Sequence, residues 1–540
     1  MDLLGPWCKD AKLSTLERIM AEGTHGELTS TYPPLTGPAW SSFVTGKSPG
    51  NHGVFEFFRR KEGTYSQILN DPSSADGRTL WGLLSDSGRT VGIMNVPLTY
   101  PPEAVNGFLI SGLLTPRDCD DWAYPQSLIK ELRENVGEYL IHHDEKYTKS
   151  NVEKLLAEQH AIRASRTEAA LYLMKVKEWD LFMVHYYGPD RMTHEFWHLI
   201  DPSHPQHDPE EYEKYGNVVL DFFEKLDADL GRLASQLDED DVLILMSDHG
   251  MGRVTKFINV NSWLLAEGFM SFKKDVISRS RYALFRSGLN YYSLGKLVLR
   301  SGWGKQAVRM GRGRRQEFQE RVFCSFRDVD WPRTAAYSMG NYGQIYVNLK
   351  GREPHGCVNP SAEHEEVLDR LTDKLYGLVD PESGERVTER VFRKEEVYRG
   401  KYVERAADLM FLTRGMEYKA LGLSDFNSPR ILEPVFGCTG NHRMRGMAAL
   451  RGKGVIREGA VIDGAAIQDL APTILYILGV PIPGEMDGVV LNEVFTPGYL
   501  ERRQATYSDP AGRTAIPEGR GYSPEEEEEL VEMLRGLGYA

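Results

Sequence analysis

Residues 243–252 read LILMSDHGMG, and this stretch decides the fold class. Apolar residues stop at Ser247, and an acid and an imidazole, Asp248 and His249, follow side by side. A short apolar run without alternation is typical of a strand buried on both faces of a sheet. Open α/β sheets bind their ligands at the carboxyl ends of such strands. We therefore expect Asp248 and His249 at a functional edge. The alternative is that Asp248 only closes a strand-end turn.

Similar apolar runs alternate with helical patterns along the chain. The strand-like runs lie at 90–96, 107–112, 180–187 and 241–247, and the helical patterns cover 154–178 and 211–237. This alternation predicts an α/β fold with a mostly parallel sheet sandwiched by helices.

The chain has 540 residues, beyond the size at which a single core stops growing. We expect residues 1–255 to form the first part of the core and 256–435 an inserted cap region. Residues 436–500 would complete the core, and 501–540 would form a tail with a terminal helix begun by Ser523.

Composition excludes some classes of protein. A net charge of −14 argues against nucleic acid as a partner. The five cysteines form no CxxC pair, which argues against a disulfide framework or a cysteine zinc site. No apolar run approaches the length of a membrane span, and residues 1–10 lack the basic start of a signal peptide. We predict a cytoplasmic protein.

One segment departs from the acidic composition. Residues 273–321 contain thirteen Lys or Arg against three Asp or Glu. Such a charge run is often only a solvated helical insertion. The alternative is a lid that attracts an anionic substrate or the headgroups of anionic lipid.

Two further clusters contain candidate metal ligands. In HYYGPDRMTHEFW (185–197), Asp190 and His194 share one face if a helix follows Pro189. A carboxylate and an imidazole so placed suit a divalent metal, although such pairs are often surface ion pairs. In GCTGNHRMRG (437–446), His442 lies in a glycine-rich loop before a strand, where a lone histidine usually has no role.

A fourth cluster, residues 30–53, offers a hydroxyl. Thr36 precedes Gly37-Pro38 and a segment, 39–45, that could open a helix. Free N–H groups at a helix start attract phosphate. A threonine hydroxyl becomes a good nucleophile when a metal or base lowers its pKa. The alternative is that Thr36 is merely an N-cap.

Together the clusters contain three imidazoles, two carboxylates and a hydroxyl. These are the groups that a two-metal hydrolytic site requires.

The order and wording of these motifs resemble the alkaline phosphatase superfamily. The branch is that of the type I phosphodiesterase/nucleotide pyrophosphatase-like phosphohydrolases and phosphomutases. The matching stretches are PPLTGPAWSSFVTGKSPGNHGVFEF, NVPLTYPP, YYGPDRMTHEFW, SDHGM, GNHRMRG and DLAPTILYILGVPIPGEMDG.

The resemblance implies residue roles and cofactors. Thr36 matches the nucleophile that becomes phosphorylated. Asp190, His194 and His442 match the ligands of one metal, and Asp248 and His249 match ligands of the other. Two divalent ions would be held, zinc by preference and manganese as the alternative, and the substrate would be a small phosphate ester.

The sequence departs from the family pattern in two ways. Family members begin with a strand ending in Asp-Gly, whose Asp binds the second metal, and Asp2 is a poor substitute for it. We expect a start codon placed too far downstream rather than a lost strand. Relatives that cleave nucleotides carry an Asn three residues after the threonine, where this chain has Ala39. Nucleotide substrates are therefore not indicated.

Three hypotheses follow for the function. The first is a metal-dependent hydrolase of phosphate mono- or diesters. The second is a phosphomutase that passes the Thr36 phosphate to a bound hydroxyl. The third, motivated by the missing aspartate, is an inactive scaffold that binds an anionic partner through 273–321.

Overall fold

The computed structural model describes residues 3–143, 145, 147–288, 322–424, 426, 428–435, 437–513 and 521–536. The basic segment 273–321 was expected to be a solvated helical insertion or a lid. Its residues 289–321 lie outside the described residues. Within the described part of the chain, no helix is long and apolar enough to cross a membrane.

The helices are numbered in chain order. They are α1 Leu4–Lys9, α2 Ser14–Ala21, α3 Thr36–Thr45, α4 Pro49–His52, α5 Leu80–Asp86, α6 Ser127–Asn135, α7 Val152–Val176, α8 Gly188–Ile200, α9 Pro209–Tyr215, α10 Val218–Ala234, α11 Val260–Ala266, α12 Val276–Arg286, α13 Ala362–Tyr376, α14 Lys394–Val397, α15 Leu470–Leu478, α16 Pro497–Arg502 and α17 Pro524–Gly536.

The strands are numbered in the same way. They are β1 Thr24–Thr29, β2 Phe58–Arg60, β3 Gln67–Leu69, β4 Val91–Val96, β5 Gly107–Ser111, β6 Ala123–Tyr124, β7 Leu181–Val184, β8 Leu243–Met246, β9 Gly250–Arg253, β10 Lys256–Asn259, β11 Ala336–Ser338, β12 Gly340–Asn341, β13 Ile345–Val347, β14 Thr388–Arg393, β15 Leu409–Thr413, β16 Tyr418–Gly422, β17 Leu432–Pro434, β18 Gly440–Arg443, β19 Arg445–Arg451, β20 Val461–Ile462, β21 Ile482–Pro483 and β22 Tyr507–Ser508.

The predicted α/β fold is confirmed. Strands β5, β4 and β7 run parallel, and β6 closes one edge antiparallel to β5. A second sheet has the order β20-β1-β19-β8, in which β19 runs antiparallel to both of its neighbours. Helices α3, α5 and α15 share one apolar core with β4 and β19. The four apolar runs predicted as strands became β4, β5, β7 and β8.

Turn residues and caps set the helix boundaries. The pattern at 211–237 forms two helices, because α9 ends at Tyr215 with Gly216 as its C-cap and α10 begins at Val218. Helix α17 begins as expected at Ser523, whose hydroxyl accepts from the Glu526 N–H at 3.2 Å. The Glu526 carboxylate accepts from the Ser523 N–H at 2.7 Å, which completes a capping box.

Strands β7 and β8 flank an apolar cleft. Their side chains are half-buried, whereas every residue of β4 is buried. Among the described residues, β7 pairs with β4 alone and β8 with β19 alone. A cavity of about 1220 Å³ is lined by both strands and by α10, and it reaches Asp190, Asp248 and His249. The cleft therefore opens onto the ends of the strands that carry the predicted ligands.

The described residues between 256 and 435 build a layer of further sheets. It contains two four-stranded sheets, of order β12-β16-β10-β17 and β11-β13-β15-β14. Their apolar core includes the buried aromatic rings of Trp263, Tyr337 and Phe411. The buried Glu56 carboxylate of the first part of the chain accepts from the Asn341 N–H of β12 at 3.0 Å, which joins this layer to the core.

Candidate metal centre

Helix α8 presents the first two candidate ligands. Pro189 occupies its first turn, where the missing N–H costs no hydrogen bond. Asp190 and His194 lie one turn apart, and the distance from Asp190 Oδ1 to His194 Nε2 is 3.4 Å. The helix predicted after Pro189 is therefore present, and it places both side chains on one face.

Strand β18 brings the third candidate ligand from a distant part of the sequence. It pairs antiparallel with β9, and His442 lies opposite Met251 in this pairing. The His442 Nε2 atom is 2.8 Å from His194 Nε2 and 3.3 Å from Asp190 Oδ1. The ligand atoms of Asp190, His194 and His442 all lie within 4.8 Å of one another.

Backbone carbonyl groups fix the orientation of both imidazoles. His194 Nδ1 donates to the Gly440 carbonyl at 2.7 Å, and His442 Nδ1 donates to the Pro34 carbonyl at 2.7 Å. Each Nε2 therefore turns a lone pair toward the other imidazole, an arrangement that requires a cation or a proton between them. Metal-binding histidines are commonly held in this way. The donor set thus fits a divalent metal ion.

The charges around this trio also favour a cation. Burial would raise the pKa of Asp190, but the neighbouring His194 and His442 rings hold it well below its usual range. Burial would lower the pKa of His194, but the Asp190 carboxylate and the Cys438 thiol raise it to about 10. Burial and the nearby His249 hold the pKa of His442 well below its ordinary value. The trio therefore favours a positive charge beside Asp190, which a metal ion or a second proton on His194 would supply.

Strand β8 delivers Asp248 and His249 to the same place. His249 Nε2 lies 3.4 Å from Asp248 Oδ2 and 3.7 Å from Asp190 Oδ1. Its ring stacks on that of His442 with centroids 3.5 Å apart. His249 Nδ1 donates to the Gly250 carbonyl at 3.1 Å, so its Nε2 also turns toward the cluster. Burial raises the pKa of Asp248.

Thr36 completes the cluster. It is the first residue of α3, its side chain is buried, and Thr36 Oγ1 lies 3.5 Å from His249 Nε2. The N-cap residue is Leu35, and the hydroxyl contact of Thr36 is with His249 rather than with the backbone of α3. The alternative of a simple N-cap is therefore wrong. The hydroxyl faces the candidate ligands at a helix N-terminus, where backbone N–H groups attract anions.

The structure brings together all six residues predicted from the sequence. It adds contacts that the sequence did not reveal, namely the Pro34 and Gly440 carbonyls and the Cys438 thiol, which lies 3.1 Å from His194 Nδ1. A backbone carbonyl carries no side-chain signal, and Pro34 is 408 positions from His442. No feature of the sequence could have indicated these partners.

Gly440 lies where β18 packs closely against α8, so a substitution at this position tests that contact. A Cβ at this position would overlap the Thr193 carbonyl oxygen, which belongs to the α8 backbone and cannot turn away. We expect Gly440→Ala to lower the free energy of unfolding by about 2 kcal/mol and to displace His442 from His194. Gly521→Ala is the control, because no described residue lies within 4 Å of its Cβ. Urea unfolding and turnover of both variants would be measured. Equal behaviour of the two would contradict this packing role.

A buried histidine connects α3 to α4. His52 Nδ1 accepts from the Val54 N–H at 3.1 Å, so its Nε2–H donates to Ser42 Oγ at 2.9 Å. Burial, together with the nearby Lys47, lowers the pKa of His52 to about 3. The neutral ring is therefore required in the folded state.

This depressed pKa predicts a loss of stability in acid. Between pH 6.5 and 3 the unfolded chain binds a proton at His52 that the folded chain does not, so stability falls as the pH falls. At pH 5 the loss from His52 should be about 2 kcal/mol relative to pH 7. His52→Asn keeps the acceptor for Val54 and removes the titration. A variant whose unfolding free energy depends on pH as steeply as the wild type would refute the assignment.

The fold and the site define a class of protein. An α/β core carries a cluster of three imidazoles, two carboxylates and one hydroxyl at the ends of its strands, the donor set of a metal-dependent hydrolase.

Comparison with known proteins specifies the class. Residues 1–418 match the model of the type I phosphodiesterase/nucleotide pyrophosphatase family, and the chain belongs to that family. It is therefore an enzyme that hydrolyses phosphoric esters, in a family that depends on divalent metal ions. The resemblance noted in the sequence is confirmed. His442 lies beyond the matched residues. A comparison with curated protein sequences found no match.

Solved structures similar to this one include two hydrolases. Human ectonucleotide pyrophosphatase/phosphodiesterase 5 shares 14% identity at a TM-score of 0.44, over 86% of this chain and 90% of that one. Phosphonoacetate hydrolase from Sinorhizobium meliloti, in complex with phosphonoacetate, shares 12% identity at a TM-score of 0.49, over 88% of this chain and 92% of that one.

Proposed function

We propose that the protein hydrolyses small phosphate mono- or diesters through a phosphorylated Thr36, at a site that binds two divalent metal ions. The observation that carries this proposal is the 2.8 Å approach of His194 Nε2 to His442 Nε2 beside Asp190, with both imidazoles held by carbonyl groups. The lone pairs of two imidazoles meet in this way only when a metal ion or a proton lies between them, and a bound metal ion meets that requirement.

The residues divide into two groups around Thr36. Asp190, His194 and His442 would hold one metal ion, and Asp248 with His249 would contribute to holding the other. Zinc suits this mixed histidine and aspartate set best, with manganese as the alternative. When bound, the ions would lower the pKa of the Thr36 hydroxyl and neutralise the charge of the phosphate.

The side chains supply the remaining chemistry. Thr36 Oγ attacks the phosphorus atom, the bond from phosphorus to the ester oxygen breaks, and the alcohol leaves with a proton. Water then attacks the phosphorus atom of the phosphothreonine and restores the Thr36 hydroxyl. The product is phosphate when the substrate is a monoester and a phosphate monoester when the substrate is a diester. The N-terminus of α3 favours the negative charge of the phosphate throughout.

The experiment is hydrolysis of bis-p-nitrophenyl phosphate and of p-nitrophenyl phosphate by the full chain with zinc or manganese. Turnover of either ester that depends on added metal is expected, and the preferred ester would define the substrate class. Absence of turnover with both esters and both metals would overturn the proposal. Nucleotide substrates are a lower priority because Ala39 stands three residues after Thr36.

A phosphomutase is the second candidate, favoured by the same Thr36 and by the branch that the sequence resembles. In that reaction the phosphothreonine would pass its phosphate to a hydroxyl of a bound sugar or glycerate. Phosphate transfer between positions of one substrate, without release of free phosphate, would support the mutase and reject the hydrolase.

A further inference from the structure

Helix α12 packs one face against the apolar core shared by the two sheets of the described residues between 256 and 435. Phe285 is buried, and its ring packs on that of Phe426 with centroids 5.7 Å apart. Ser278 Oγ donates to the Asp328 carboxylate at 2.9 Å, and Arg281 pairs with the same carboxylate at 3.0 Å. These contacts fix the rotation of the helix and therefore determine which side chains face outward.

The outer face of α12 is apolar. Val276 is 80% exposed and is the most exposed large apolar side chain in the described part of the chain. Ile277 is 64% exposed, and Leu284 is also exposed. Positions 276, 277 and 284 lie on one side of the helix, with Ser280 and Ala283 between them. A surface of this kind, away from the core, is typical of an interaction site.

Basic side chains border this apolar surface. Lys274 precedes the helix, and Arg279 and Arg286 lie on the flank of the exposed face. All three are exposed, and none forms an ion pair with a described residue. Asp275 is the acid of this stretch, and its carboxylate is used as the N-cap of the helix. The patch is therefore basic on a chain whose net charge is −14.

We propose that α12 docks the protein on a lipid bilayer that carries anionic headgroups. Val276, Ile277 and Leu284 would enter the interface between headgroups and acyl chains, while Lys274, Arg279 and Arg286 face the lipid phosphates. A nucleic acid would match the basic residues but would give no reason to expose Val276 and Ile277. The negative charge of the rest of the surface orients the chain with this patch toward the bilayer. Docking does not depend on catalysis.

The test is co-sedimentation of the full chain with vesicles. We expect binding to vesicles of phosphatidylcholine with phosphatidylglycerol at least about tenfold tighter than to pure phosphatidylcholine, and weaker in high salt. Val276→Asp with Ile277→Asp should reduce binding to the anionic vesicles at least about tenfold. The matched control is Val461→Asp with Val489→Asp, which changes two other exposed valines, 66% and 62% exposed, and should bind as the wild type does.

A second variant separates charge from apolar contact. Arg279→Glu with Arg286→Glu should abolish the preference for anionic vesicles. Unfolding midpoints and turnover of a soluble ester should match the wild type in all variants, because α12 lies outside the metal centre. No binding to anionic vesicles, equal binding to both vesicle types, or binding unchanged by Val276→Asp with Ile277→Asp would overturn the proposal. The proposal would also be overturned if heparin competed with the vesicles and if Val276→Asp with Ile277→Asp left heparin binding unchanged.

Discussion

Thr36→Ala is expected to lower kcat at least about a thousandfold, because removing the nucleophile of a covalent mechanism leaves only binding and electrostatic stabilisation. The fold should survive. The N-cap of α3 is Leu35 and the Thr36 hydroxyl contacts His249, so the substitution removes no helix-capping hydrogen bond. The measurement is steady-state hydrolysis of the preferred ester, with the metal content of the variant determined alongside. Retained metal with lost turnover would assign the chemistry to the hydroxyl.

A matched control lies at the other end of the same helix. Thr45 is also buried, and its hydroxyl donates to the Ser41 carbonyl at 2.6 Å, away from the candidate ligands. Thr45→Ala should cost about 1 kcal/mol of stability and leave kcat unchanged. Mass spectrometry of acid-quenched enzyme should find phosphate on the peptide that contains Thr36. Full activity of Thr36→Ala, or phosphate on another residue, would reject the proposed nucleophile.

His194→Gln is expected to remove one metal ion per chain and to lower the activity at least about a hundredfold. Even substitution of residues that only orient metal ligands lowers metal affinity or activity ten- to a hundredfold. The side chain lies where its Nε2 meets His442 and Asp190, so its loss opens the trio. Metal content by elemental analysis and turnover would be measured together. In the wild type, removal of metal by a chelator should lower the midpoint of thermal unfolding, because bound metal stabilises only the folded state.

His198 provides the control for this substitution. It lies one turn further along α8, is also buried, and contacts Thr439 Oγ1 at 3.1 Å through Nδ1. His198→Gln keeps a polar side chain of similar size and should retain the full metal content. Equal metal loss in both variants would show that α8 packing, rather than ligation, holds the ion. Unchanged metal content in His194→Gln would remove His194 from the ligand set.

Local patterns revealed a large part of the fold. The apolar runs that became β4, β5, β7 and β8 were visible because strands buried on both faces need uninterrupted apolar sequence. Helix α8 followed from Pro189, and α17 from Ser523 as its N-cap. The division of 211–237 into α9 and α10 was missed, because the helical pattern continues across Gly216. The antiparallel course of β19 was also missed, since strand direction depends on the path of the whole chain.

The sequence by itself determined which groups are available for chemistry. Asp190 and His194 share a helix face by spacing alone, and Asp248 and His249 follow a buried strand by adjacency alone. Thr36 at a helix start was visible for the same reason, because all three inferences need only neighbouring residues. The resemblance to a known family then joined these pieces to His442.

Only the tertiary structure decided how these groups meet. The 2.8 Å approach of His194 to His442 joins residues 248 positions apart, and it depends on β18 pairing with β9 and on Gly440 touching α8. The Pro34 and Gly440 carbonyls accept from Nδ1 of His442 and of His194, and they thereby fix the tautomers of both rings. Such contacts follow from packing over long chain separations, and backbone carbonyls are alike at every position. A sequence therefore reveals the ligands, while the folded chain sets their distances, their orientation and their charge.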